Sequence, residues 1–137
     1  MLNVKMLPLN IQSKWEKEVH TGIVIEDWSF IYCIPFSITK LQDFQYKLIH
    51  RILITNSSLY TCGLKETELC TFCTETKESL VHIFGECNYV WNFWLAIGNF
   101  LKICGVGLPF NAKDIILGLT EHSSAQGIIN NVLIILK

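Results

Sequence analysis

The sequence predicts an all-α fold, an irregular helical domain with an embedded Cys-Cys-His-Cys zinc knuckle. Three observations carry that reading. Apolar residues recur at helical spacing along most of the chain, and no turn dipeptide flanked by alternating apolar residues signals a hairpin. Within the stretch CTFCTETKESLVHIFGEC, Cys70, Cys73, His82 and Cys87 follow the spacing Cys-x2-Cys-x8-His-x4-Cys. The length of 137 residues suits one domain, residues 1–137, with enough chain to bury a core.

The elements are expected in this order. A first helix includes Trp15 to His20, with Ser13 as its cap and Gly22 at its end. Glu26, Asp27 and Trp28 signal a short helix that stops before Pro35. Ser37 caps a third helix running to about Leu53, with Ile38, Leu41, Leu48, Ile49 and Ile52 on its apolar face and Lys40, Asp43, Lys47 and Arg51 on the other. TNSS then supplies a loop and a cap for a short helical turn closing at Gly63. The metal unit occupies Leu64 to Cys87.

Asn88 to Cys104 reads as a helix apolar nearly all round, with Val90, Trp91, Phe93, Trp94, Leu95, Ile97, Phe100 and Leu101 and only Lys102 charged, so it is expected to be buried. Gly105, Gly107 and Pro109 break it, and Asp114 to Leu119 forms one more short helix. From about Ser124 an apolar helical pattern is still running at Lys137, from which a fragment or truncated gene product is expected.

Composition narrows the functional classes. Half the residues are hydrophobic and 17% are charged, against about 25% in an average domain, which leaves an isolated chain short of polar surface and points to a partner. A net charge of −1 excludes the broad basic field of a free-standing nucleic-acid binder, though not a local basic stripe. The N-terminal MLNVKMLPLNIQSKWEKE has no secretory h-region, and no apolar run reaches membrane-spanning length, so a cytoplasmic or nuclear chain without membrane contact is expected. In a reducing compartment the six cysteines favour metal ligation, and Cys33, Cys62 and Cys104 are expected to be inert core thiols.

The four spaced residues fit one structural zinc ion. Two thiolates two residues apart share a metal through a tight turn, and the histidine and third cysteine complete a closed tetrahedral set with no position left for water. Such a metal holds a fold together and does not activate a nucleophile. Disulfide pairing of the same cysteines, or a chance cluster, are the alternatives. His82 is expected near the start of a helical turn, its ring directed at the Cys70/Cys73 turn; His20, His50 and His122 read as surface or helix-end residues.

The stretch LQDFQYKLIHRILITNSSLYTCGLKETELCTFCTETKESLVHIFGECNYVWNFW resembles the zinc-binding region on the C-terminal side of reverse transcriptases from non-LTR, LINE-like retrotransposons. The likeness covers about residues 15–120. It rests on the helix from Gln45 to Arg51, the turn led by Thr55, the Gly63-Leu64 pair, the four ligands and the Phe93-Trp94 pair. The resemblance implies a module downstream of a polymerase domain in a parent retroelement protein, helping to hold template RNA or target DNA. The chain departs from the family at Gly85, where relatives often carry a tryptophan or other bulky residue. It has no polymerase Tyr-x-Asp-Asp motif and no endonuclease-like acidic set, so it is expected not to be an enzyme.

Where nucleic acid would touch is read from charge. Lys40, Lys47 and Arg51 form either a phosphate-contacting stripe or an ordinary solvated helix face broken by Asp43. Around the metal, Lys65 and Lys77 stand against Glu66, Glu68, Glu75, Glu78 and Glu86, an acidic surface that repels phosphate unless Phe72 or Phe84 stacks on a base. Trp91, Phe93, Trp94 and Phe100 form either a stacking platform or, more in keeping with their spacing, core. Two functions stay open: a zinc-stabilised module that assists RNA or DNA binding, and a zinc-stabilised protein-docking module.

Overall fold

The computed structural model describes residues 7–19, 39–105 and 111–117. Within them the chain forms helices α1 (Leu9–Glu18), α2 (Thr39–Ile49) and α3 (Asn56–Thr61), a π-helical turn (His82–Glu86), then α4 (Asn88–Ile103) and α5 (Ala112–Leu117). The fold is all-α, and the one sheet-like feature among the described residues is an isolated antiparallel bridge between Leu69 and Lys77. No described helix is long and apolar enough to cross a membrane. The short helix expected around Glu26 to Trp28, the Ser37 cap, Cys33, His20, His122 and the segment from Ser124 lie outside the described residues. The chain divides into two compact units, residues 1–52 with 117–137, and residues 53–116.

In the first unit α1 begins at Leu9, earlier than expected, with Pro8 at the capping position and its carbonyl accepting from the Ile11 and Gln12 N–H groups. Ser13 therefore lies inside the helix. Proline suits this entry because its fixed φ prepares the first turn and its missing N–H would have had no partner there. Trp15 is fully buried and donates its indole N–H to the Ile49 carbonyl at 2.9 Å, which joins α1 to the end of α2, where Leu48 and Ile49 are also buried.

Helix α2 stops at Ile49, short of the expected Leu53. Its end is a Schellman motif: the Arg51 N–H donates to the Leu48 carbonyl at 3.0 Å and the Ile52 N–H to the Lys47 carbonyl at 2.8 Å. Arg51 sits at the left-handed position with φ 58°, where glycine is the usual residue. Its guanidinium offsets that strain. It donates to both Glu18 carboxylate oxygens at 2.7 and 2.9 Å and lies 4.5 Å from the Trp15 ring centroid.

In the second unit Thr55 caps α3 through a reciprocal box with Ser58, and α3 ends in the same motif with Gly63 at φ 69°. Trp94 anchors α4, buried and donating its indole N–H to the Phe84 carbonyl of the π turn at 2.8 Å. The rest of α4 is not buried as expected. Tyr89, Phe93, Leu95, Phe100 and Ile103 are exposed, because only the side of the helix carrying Val90, Trp91, Trp94, Ile97, Gly98 and Leu101 is covered or partly covered. Asn111 caps α5, its side-chain oxygen accepting from the Asp114 N–H at 2.9 Å, so this helix starts two residues before the expected Asp114. Cys62 and Cys104 are exposed, not core thiols, since each sits at the open C-terminal end of a helix.

Candidate metal centre

Cys70 and Cys73 lie on a tight turn. The Thr74 N–H donates to the Cys70 carbonyl at 2.9 Å, and the Phe72 N–H points at the Cys70 sulfur at 3.4 Å. Thr74 takes the left-handed conformation, φ 58°, that returns the chain, and the Cys70 N–H then donates to the Thr76 carbonyl at 2.8 Å to close a miniature loop. Backbone N–H groups of Glu75 and Thr76 gather at Cys73 and pull its thiol down to about 6, whereas burial pushes the Cys70 thiol up. One sulfur is thus a ready thiolate near neutral pH, and the other loses its proton when a cation arrives.

The other two ligand positions come from the π turn. Ser79 opens it, its hydroxyl accepting from the His82 N–H at 3.1 Å and its carbonyl accepting from the Ile83 N–H. That cap places His82 at the start of a helical turn, as the sequence predicts. The Cys87 N–H then donates to the His82 carbonyl at 2.8 Å, the i→i+5 bond of a π turn. The wider turn explains the x4 spacing. Five residues along an ordinary α-helix point to different sides, whereas a π turn returns the side chain to the same side.

The four side chains meet. All their ligand atoms lie within 4.8 Å of one another, with the Cys70 and Cys87 sulfurs 4.0 Å apart and Cys73 Sγ 3.4 Å from His82 Nε2. A tetrahedral zinc with bonds of about 2.3 Å to sulfur and about 2.0 Å to nitrogen places its ligand atoms roughly 3.4–3.8 Å apart. The cluster fits such an ion with small adjustments, and its three sulfurs and one nitrogen are a donor set zinc favours. Among the described residues Cys70, Cys87 and His82 are buried and Cys73 is half-buried.

The surroundings include residues that spacing alone did not single out. Glu78 is buried, and its carboxylate accepts from the Asn56 N–H at 2.7 Å, the Thr71 N–H at 3.0 Å and the Thr71 hydroxyl at 3.2 Å. Asn56 in turn donates from its side chain to the Leu69 carbonyl and to Thr71 Oγ1, and accepts from Lys65 Nζ. Gly85 has a structural reason. A Cβ there would lie 2.7 Å from Ala112 Cβ and 2.9 Å from Ala112 Cα, so α5 excludes a bulky residue at that point.

Charge around the centre differs from a simple count. Glu78 is buried and Glu68 pairs with Lys77 at 2.9 Å, which leaves Glu66, Glu75 and Glu86 as the acidic residues on the surface. An open cleft of about 320 Å³ beside the centre is lined by Cys73, Glu75, Asn88, Tyr89 and Asn92. Phe72 is exposed, and the half-buried Phe84 carries the carbonyl that holds Trp94. In the separate first unit, Lys40 is exposed, Lys47 pairs with Asp43 at 2.7 Å, and Arg51 is engaged by Glu18 and Trp15. Arg51 Nη1 is buried, so this side chain is built into its unit.

Comparison with known proteins agrees with this geometry. A family model described as zinc-binding in reverse transcriptase matches residues 10–94, a span that opens in α1, includes all four clustered residues and closes on Trp94. No curated protein and no solved structure matches the sequence. With more than half of the chain inside the match and a donor set fit for zinc at its centre, the chain belongs to the reverse-transcriptase zinc-binding family.

Proposed function

We propose that this chain is a non-catalytic, zinc-stabilised helical module of a LINE-like, non-LTR retroelement reverse transcriptase. One zinc held by Cys70, Cys73, His82 and Cys87 fixes the knuckle, and the module assists RNA or DNA binding beside the polymerase domain of a parent protein in the cytoplasm or nucleus. The observation that carries the reading is the convergence of four ligand atoms within 4.8 Å inside a chain matched by the reverse-transcriptase zinc-binding model. All four positions of a tetrahedral ion are filled by protein, so the metal has a structural role.

A protein-docking function is favoured by two observations. The outer face of α4 exposes large apolar side chains, and of the three stripe cations Lys47 and Arg51 are held by carboxylates. The two readings separate in one experiment. The zinc-loaded chain is titrated with single-stranded RNA and duplex DNA at low salt, followed by fluorescence anisotropy, alongside Lys40→Gln/Lys47→Gln, which spares the structural Arg51. Weak, salt-sensitive binding lost in the double variant supports the nucleic-acid reading; no binding by either protein leaves docking as the function.

A further inference from the structure

Helix α4 presents an apolar stripe that no described residue covers. Tyr89, Phe93, Ala96, Phe100 and Ile103 recur at intervals of four, three, four and three, and all five are exposed, Phe100 by 61% and Ile103 by 84%. That alternation is the seam of a coiled coil. It lies mainly on the side of α4 away from Trp94, with only the Phe93 ring meeting the Trp94 ring edge-on at 5.2 Å, and the positions flanking it, Asn88, Asn92, Leu95 and Asn99, are exposed too. Lys102 is the one charged residue in the helix.

We propose that this face is a self-association surface, on which two copies of the chain pair through antiparallel α4 helices. In the register that interleaves the seams, Phe93 of each copy lies against Ala96 of the other, and Tyr89 against Phe100. Each large ring at the centre then meets a side chain small enough to admit it, and the outer layers pair aromatic with aromatic.

Charge selects the antiparallel orientation and a second copy as the occupant. The cleft at the N-terminal end of α4 carries the Glu75 carboxylate and no cation in its lining. Lys102 lies on the same side of the helix as Asn88 and Asn92. Antiparallel pairing carries it from the second copy to the level of Cys87, at the mouth of that cleft, whereas parallel pairing would leave it at the opposite end of the helix from the cleft. Four seam residues of each 16-residue helix interleave, with Ile103 reaching just past the start of the partner's α4, and bury on the order of 1,000 Å² in total, the low end for a specific interface, so the dimer is reversible.

Sedimentation equilibrium of the zinc-loaded full chain tests this. Wild type should show a reversible monomer–dimer equilibrium with a Kd on the order of 10 µM, within the range of weak specific associations. Ala96→Glu, at an exposed position on a good helix former, should weaken dimerisation roughly 100-fold by burying a charge in the seam, with zinc content and helical circular dichroism unchanged. Lys102→Glu should weaken it as well, and adding Glu75→Lys to that variant should restore it. A wild type that stays monomeric through the same range, or an Ala96→Glu variant that dimerises like wild type, overturns the proposal. A Lys102→Glu variant with unchanged affinity overturns the antiparallel arrangement.

Discussion

Glu78 and Asn56 are joined by a buried bond of 2.7 Å from the Asn56 backbone N–H to a Glu78 carboxylate oxygen, across 22 residues of sequence. This contact ties the first turn of α3 to the strand-like exit of the knuckle, so the loop is held from outside the four-residue cluster as well. The other Glu78 oxygen takes both the N–H and the hydroxyl of Thr71, next to ligand position Cys70. Glu78→Ala leaves the buried Asn56 N–H without an acceptor and removes the part-buried bonds from Thr71, and should destabilise the fold by about 2–4 kcal/mol, while Glu78→Gln should cost less. Urea unfolding of the zinc-loaded variants measures both.

Gly85 is required by α5. Because the added methyl would lie 2.7 Å from Ala112 Cβ, Gly85→Ala should destabilise by about 1–3 kcal/mol, and Gly85→Val by more. Thermal unfolding monitored by circular dichroism gives the order. If Gly85→Ala is recovered in combination with Ala112→Gly, the close approach of the two residues is the cause.

Arg51 holds a glycine position by side-chain contacts. Arg51→Ala removes the Glu18 and Trp15 contacts and keeps the left-handed strain, whereas Arg51→Gly removes the same contacts and relieves it. The glycine variant should therefore be about 1 kcal/mol more stable than the alanine variant, and denaturant midpoints of the two proteins check it.

Thiol chemistry should separate Cys73 from Cys70 in the metal-free protein. With the Cys73 thiol at about 6, it is mostly thiolate at pH 7, while the buried Cys70 thiol remains protonated. Alkylation at that pH, mapped by peptide mass spectrometry, should modify Cys73 well before Cys70. Lowering the pH through 6 should slow the Cys73 reaction by protonating it, and zinc should protect both.

The four-residue cluster and the helical class were legible in the sequence because both are encoded locally. The spacing of Cys70, Cys73, His82 and Cys87 and the run of helical periodicity are visible without any tertiary contact, and Gly63 announces the end of α3. The end of α2 was hidden for the opposite reason. Arg51 closes the same motif without the glycine that signals it, and only Glu18 and Trp15, 33 and 36 positions earlier, explain why it can. Glu78 read as a surface acid because its partners are distant in sequence, and the outer face of α4 read as core because apolar composition does not say which side of a helix is covered. The Ser79 cap was the local signal available for the π turn: a serine three residues before His82.

Zinc held by these four residues is proposed to fix the knuckle. Native mass spectrometry of the purified chain, paired with amide hydrogen exchange before and after chelation, tests it most directly. We expect one zinc per chain, reduced by Cys73→Ser, and a loss of protection on chelation at the Cys70, Thr74 and Cys87 amides, whose hydrogen bonds build the centre, with the α1–α2 pair unchanged. A chain that binds no zinc, or one whose Cys70, Thr74 and Cys87 amides stay equally protected without it, would show that zinc does not fix the knuckle.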